Sequence, residues 1–289
     1  MWYALHLEQV PSEAIEGLSD LLEQMESVSI TLRDQGDNPI FEPDPGTTPL
    51  WDQLVCSALF LSADQRAYAK KCISALYPAF VLHEEDIPDT NWVENSKQGF
   101  EAQCFGQRLW VCPSWIPLNV ENASVVTLDP GLAFGSGTHP TTKLCLQWLD
   151  KHDITDNIVI DYGCGSGILA LAALRLGAKK AFAIDIDDQA LEATLQNANL
   201  NQLAHQIEVM LPHALEHSAD LLLANILLQP LLSLENIFYT FTKPGGIIVL
   251  TGVLEDQIPL LLEKYLTDNW TFIESISDDG WALLVFSRK

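Results

Sequence analysis

Lysine and arginine are scarce in this chain, 15 residues against 39 aspartates and glutamates, for a formal net charge of −24. That balance repels a polyanion unless a basic face is set aside for it, and no run of basic residues marks one. A direct nucleic-acid partner is therefore not expected. The acid excess suits solubility and a basic protein partner equally well. Cysteine is sparse too. Cys56, Cys72, Cys104, Cys112, Cys145 and Cys164 contain no CxxC pair, which excludes the usual metal-ligand spacing and a disulfide framework and points to reduced, buried thiols. No apolar run approaches the ~18 residues of a membrane-spanning helix. The opening MWYALHLEQV has no basic segment leading into an apolar block, so no secretory signal is read there and a cytoplasmic location is expected.

What is present is enough apolar material for a large core, 48% of a 289-residue chain, which allows two domains, one of them small. Residues 2–10 alternate as a strand. Pro11 is expected to open a helix running to about Glu26, with Ala14, Ile15, Leu18, Leu21, Leu22 and Met25 at helical spacing. Strands at 28–34, LVCSALFL and 80–86, with a helix over 63–76, complete a split β-α-β-β-α-β pattern, the ferredoxin-like α+β arrangement. Nothing in these first 86 residues groups catalytic side chains, so recognition or packing is the role expected of domain 1–86. Residues 87–119 read as a connector with a β-hairpin, whose Trp92, Phe100, Trp110 and Trp115 suit interdomain packing better than a binding surface.

From 120 to 289 the pattern becomes an α/β alternation. Strands are expected at 158–162, 181–185, 207–211, 220–225 and 246–251, with helices between most of them and a closing antiparallel hairpin, WTFIESISDDGWALLVFSRK. Chemistry concentrates in NIVIDYGCGSGILALAALRLGAKKAFAIDID, residues 157–187. Gly163, Gly165 and Gly167 form GxGxG beyond the first strand, and Ile168 stands where a dinucleotide fingerprint requires glycine. A cofactor without a pyrophosphate is favoured, and an NAD-dependent dehydrogenase is disfavoured. The glycines allow close backbone approach and are expected to turn amide N–H groups toward a ligand. Asp185, ending the second strand some twenty residues on, suits the two hydroxyls of a ribose. Asp187 suits the N-cap of the following helix.

VIDYGCGSGILALAAL followed by AIDID resembles the first two motifs of the class I S-adenosylmethionine-dependent methyltransferases. LDPGLAFGSGTHPTTKLCLQWL (128–149), DLLLANILLQPL (220–231) and KPGGIIVLTGVLEDQ (243–257) resemble those of the bacterial ribosomal protein L-eleven methyltransferase family. FEPDPG (41–46) and RLWVCPSW (108–115) extend the similarity over nearly the whole chain. The resemblance implies a Rossmann-like methyltransferase sheet with a C-terminal hairpin, a small N-terminal substrate-recognition domain, S-adenosyl-L-methionine as cofactor, and methyl transfer to lysine and N-terminal amines of ribosomal protein L-eleven. Another protein or ribosomal RNA is the alternative acceptor.

Carried over by position, the family's cofactor contacts fall on Thr142, Gly163, Asp185 and Asn225, with Asn225 also the catalytic residue. Thr142 read without the family is a helix-start cap. Asn225 read without it is a cap for a helix from about Leu228. In related amino-group enzymes this Asn precedes two prolines and an aromatic. Here Ile226 and Leu227 leave no aromatic to stack on a base, which favours a flexible aliphatic amine. His139 invites a general-base reading. Its neighbours Thr138 and Pro140 suit a loop-fixing role equally, and the latter is preferred.

Overall fold

The structure is a computed structural model that describes residues 1–36, 40, 47–88, 101–118, 120–129 and 137–289. FEPDPG, Trp92, Phe100 and the segment 130–136 lie outside the described residues. The chain divides into two compact units, Met1–Asn95 and Ser96–Lys289.

The first unit is a four-stranded antiparallel sheet with two helices. Its strands are β1 (Trp2–Pro11), β2 (Ser29–Asp34), β3 (Gln53–Phe60) and β4 (Val81–Ile87), ordered β2-β3-β1-β4. Strand alternation aims Leu54, Cys56, Ala58 and Phe60 at a core shared with Leu5, Leu7 and the helices α1 (Ile15–Gln24) and α2 (Ala63–Leu76). The helix expected to begin at Pro11 starts later. Pro11 pairs with Gln53 as the last residue of β1, and a 3₁₀ turn, Ser12–Ala14, intervenes. A strand end tolerates proline because a missing N–H costs little there. Ser62 caps α2, accepting from the amide of Gln65 at 3.2 Å.

The second unit begins with the hairpin β5 (Gln103–Cys104) and β6 (Leu109–Cys112), and β6 pairs in parallel with β7 (Ser124–Thr127). Helix α3 (Pro140–Lys151) follows. The main sheet contains β8 (Ile158–Tyr162), β9 (Lys180–Ile184), β10 (Ile207–Met210), β11 (Ala219–Asn225), β12 (Thr242–Leu254), β13 (Trp270–Asp278) and β14 (Trp281–Arg288). Its order is β10-β9-β8-β11-β12-β14-β13, parallel through β12 and antiparallel in the closing hairpin. Between the strands lie α4 (Ile168–Arg175), α5 (Asp188–Leu200), α6 (Leu228–Ser233), α7 (Glu235–Phe241) and α8 (Ile258–Tyr265). Among the described residues, no helix is long and apolar enough to cross a membrane.

The central strands β8, β9 and β11 are apolar on both faces because both faces are covered. Leu221 and Leu223 of β11 enter a core with α3 and α4, while Leu222 and Ala224 enter another with α6, α7 and α8. The sequence alternation that would mark a half-exposed strand is absent for that reason.

A buried carboxylate ties the hairpin to α3. Asp150 accepts from the amides of Gln107 (2.6 Å), Arg108 (3.1 Å) and Leu109 (2.8 Å), with its side chain 3% exposed. The approach requires glycine at 106: its φ is +120°, and a Cβ there would lie 2.2 Å from Asp150 Oδ2. Asp150→Ala removes the acceptor of all three amides, of which the Leu109 bond is buried and the other two part-buried, and is expected to lower stability by about 2–3 kcal/mol. Asp150→Asn, which keeps an acceptor, should fall between. Denaturant melts of the three proteins check the order, and an Asp150→Ala midpoint equal to wild type would refute it.

Candidate functional site

The site lies at the carboxyl ends of β8, β9 and β11. β8 ends at Tyr162, and the chain turns through Gly163, Gly165 and Gly167 at φ values of +80°, +53° and +78°. These are left-handed conformations that glycine enters without steric cost. The turn folds back on β9, where the amides of Gly163 and Cys164 both donate to the carbonyl of Ile184, at 2.7 and 3.0 Å. The amide of Gly165 donates to Asp185 Oδ2 at 2.9 Å, and that of Gly167 to the carbonyl of Cys164 at 2.7 Å. The expectation that the loop amides face a ligand is thus corrected for these four. They are spent on β9, on Asp185 and within the turn, and the glycines serve clearance and backbone conformation.

Two side chains of α5 hold the loop from behind. Thr194 Oγ1 donates to the carbonyl of Gly165 (3.0 Å), and Asn197 Nδ2 to that of Ser166 (2.8 Å). A Cβ at Gly167 would lie 2.7 Å from Thr194 Cγ2. No signal within the sequence singles these residues out, because their role exists only once α5 lies against the turn.

Asp185 is half-buried directly after β9. Besides Gly165, it accepts from the amide of Asp187 through Oδ1 at 3.1 Å. Each carboxylate oxygen has a second lone pair available to a vicinal diol. Asp187 is the N-cap of α5, accepting from the amide of Gln189 at 2.9 Å, which separates the two acids as their positions imply. The following Ile186 is 83% exposed on the same edge.

Thr142 is buried in the first turn of α3, and the cap of that helix is His139, whose Nδ1 accepts from the amide of Thr141 at 3.4 Å and lies 2.7 Å from its hydroxyl. The cap reading of Thr142 is therefore replaced by a contact across the site: Asn225 Nδ2 donates to Thr142 Oγ1 at 3.3 Å. Asn225 is not a cap either, since α6 has Leu227 at its N-cap position and no side-chain cap bond. The amide's donor side is committed to Thr142, which leaves its carbonyl oxygen as the acceptor presented at the strand end. Leu228 is buried in the second core and lines no surface. His139 also meets the Trp281 ring edge-on, with centroids 4.9 Å apart, and partial burial lowers its pKa.

Asp161, missed in the sequence reading, is the buried acid of the site. It is 1% exposed near the end of β8 and accepts from the amide of Ala170 at 3.0 Å, pinning the first turn of α4. An acid inside the apolar run VIDYG was its signal. Burial pushes its pKa up to about 7, the amide of Ala170 opposes the shift, and the nearby Asp185 carboxylate adds to it. The six thiols are free. Cys56, Cys112, Cys145 and Cys164 are buried as expected, while Cys72 is half-buried and Cys104 is exposed.

The residues fit an adenosylated amino acid. The left-handed glycine turn sits beside Asp185, a carboxylate with spare lone pairs, and Asn225 at the end of β11 meets Thr142. Among the described residues no group of three potential ligands is placed to hold a metal ion.

Comparison with known proteins gives a consistent picture. The chain matches the family described as "Ribosomal protein L11 methyltransferase (PrmA)" over residues 1–289. It is 46% identical to the protein of that name from Legionella pneumophila strain Philadelphia 1 over 290 residues, covering 100% of both chains. It is 44% identical to that from Nitrosococcus oceani over 293 residues, covering 100% of this chain and 99% of the relative. The crystal structure of a ribosomal protein L11 methylase from Lactobacillus delbrueckii subsp. bulgaricus superposes with a TM-score of 0.61 at 30% identity, covering 66% of this chain and 100% of that one.

The raised pKa of Asp161 has a signed consequence. The unfolded carboxyl ionises near 4 and the folded one near 7, so the folded state holds the extra proton between those values and its stability falls as pH rises through that window. Asp161→Asn, unable to ionise, should match wild type near pH 4 and exceed it by roughly 3–4 kcal/mol at pH 8. Parallel melts at the two pH values test this, and a gap that does not widen with pH rules it out. Asp185→Ala should weaken S-adenosyl-L-homocysteine binding by at least ~10-fold, as expected for loss of a charge-assisted diol contact. Calorimetry showing unchanged affinity would remove Asp185 from the cofactor site.

Proposed function

From the premise that the chain belongs to the ribosomal protein L11 methyltransferase (PrmA) family, we propose that it transfers methyl groups from S-adenosyl-L-methionine to lysine side-chain and N-terminal α-amino groups of ribosomal protein L11. It is an enzyme of the S-adenosylmethionine-dependent methyltransferase type, and it works in the cytoplasm. Thr142, Gly163, Asp185 and Asn225 form the cofactor site, with Asn225 also the catalytic residue. The observation that supports this reading is the Asn225–Thr142 hydrogen bond, which occupies the donor side of the Asn225 amide at the end of β11 and leaves its carbonyl oxygen to act as an acceptor.

S-adenosyl-L-methionine supplies an electrophilic methyl group on a positively charged sulfur. The residues of the chain have two further tasks, to favour the neutral amine and to aim it. A lysine of pKa ~10.4 is neutral at pH 7 about once in 2,500, a deficit of about 4.6 kcal/mol that the site must reduce. The apolar flank of Ile226 and Leu227 desolvates an arriving ammonium and so favours its neutral form. Asn225 Oδ1 accepts an N–H of the amine and aims its lone pair, a contribution of orientation rather than of acid or base. His139 holds the start of α3 through Nδ1, and the proton leaves to water.

The first unit, residues 1–86 in its functional extent, selects the protein substrate, and residues 87–119 connect it to the methyltransferase domain, 120–289. A strongly acidic chain suits a basic ribosomal protein, with charge complementarity acting chiefly on encounter rate.

Incubation with L11 and the cofactor should add multiples of one methyl mass to L11 by mass spectrometry, with stoichiometric S-adenosylhomocysteine. Asn225→Ala should lower turnover ~100-fold while changing cofactor affinity less than ~5-fold, as orientation effects require. Equal loss of both would contradict the positioning role. An unmodified L11 would overturn the substrate.

A further inference from the structure

Asn225 is held at its amide by Thr142, and the next residue holds its backbone. Ile226 leaves the sheet immediately after Asn225, its amide donating to the carbonyl of Thr251 at 3.2 Å. Two glycines make room for it. A Cβ at Gly163 would lie 2.3 Å from Ile226 Cγ2, and a Cβ at Gly252 would lie 2.2 Å from the Ile226 carbonyl oxygen and 3.0 Å from its nitrogen. The 2.3 and 2.2 Å distances are not attainable between real atoms, so both positions exclude a side chain while Ile226 stays where it is. Gly252 has φ +90° and sits in β12 where the register with β14 slips between Thr251 and Val253. That irregularity opens the gap that the Ile226 backbone enters. Ile226 thus lies between the first glycine of the cofactor turn and the bulge of β12, with the acceptor-aiming amide one residue away.

We propose that Ile226 is a positioning residue that couples the seating of the cofactor turn at Gly163 to the placement of Asn225. The inference rests on the reading of Asn225 as the residue that aims the amine. The contact is made by Cγ2, the β-branch methyl. Valine retains that methyl, whereas leucine has the same atoms but no branch at Cβ, and it has greater χ1 freedom. The coupling therefore depends on shape rather than on hydrophobicity.

Two measurements test the proposal. In the first, S-adenosyl-L-homocysteine affinity is measured by calorimetry for wild type, Gly163→Ala, Ile226→Ala and the double variant. Gly163→Ala should weaken binding at least ~30-fold, chiefly because its methyl collides with Ile226 and in smaller part because alanine is strained at φ +80°, a share that Ile226→Ala does not relieve. Ile226→Ala alone should cost less than ~5-fold, and the double variant should recover at least ~10-fold relative to Gly163→Ala, the non-additivity expected of residues in contact. Losses that simply multiply would overturn the proposal. In the second, Ile226→Val should keep turnover within ~3-fold of wild type, whereas Ile226→Leu should lose ~10-fold in kcat with a smaller change in the cofactor KM. Equal turnover of the two variants would also overturn it. A wild-type protein that binds S-adenosyl-L-homocysteine without methylating L11 would sink the acceptor assignment alone, since the affinity cycle reads the Gly163–Ile226 contact independently. One that does not bind it would sink both.

Discussion

The site depends on how the chain turns back at the end of β8. Two consecutive amides, of Gly163 and Cys164, converge on the single carbonyl of Ile184, and the next glycine reaches Asp185. The first glycine turn is thereby welded to the neighbouring strand. This constraint fixes where Asp185 presents its oxygens, where α4 starts, and how close Ile226 can approach Gly163.

The surrounding packing serves that corner. The central strands of the sheet are apolar on both faces, so they cannot slide to relieve strain without exposing core. Polar side chains then lock the pieces that lack regular pairing. Asp150 gathers three amides of the β5–β6 turn. Asn201 mimics a strand partner, accepting from the amide of Thr127 at 2.8 Å and donating to its carbonyl at 2.7 Å. Lys243 spans both oxygens of Asp220, at 2.9 and 2.8 Å, and Asp220 also accepts from the amide of Ile158, at the amino end of β8. Asp161 runs against this economy, because its burial disfavours ionisation at neutral pH. Its hydrogen bond to Ala170 keeps α4 aimed at the turn.

Much was legible in the sequence where local pattern and tertiary role agree. The strand at 158–162 coincides with β8, and Asp187 caps α5 as its place before an apolar-periodic run implied. The closing hairpin also lies where its Asp-Asp-Gly turn put it. Misreadings arose where a long-range partner outbid a local preference. Pro11 is recruited into β1 by Gln53, so the helix begins at Ile15. Thr142 looked like a cap but is sent inward once His139 takes the cap position. The loop amides looked available, yet Ile184 and Asp185 had first claim on them.

By itself the sequence determined the glycine turn, the acid after β9, the Asn at the end of β11 and the family to which these belong. Such features are short-range: a left-handed turn needs glycine, and a strand-end acid follows its strand wherever the strand goes. Only the tertiary structure decided which of these residues meet. Thr142 and Asn225 are 83 positions apart, and Gly163, Ile226 and Gly252 interlock across three separate segments. Their contacts depend on the parallel order of β8, β11 and β12 and on a bulge in β12, none of which leaves a local trace, because register and strand order are set by burying both faces of the sheet at once.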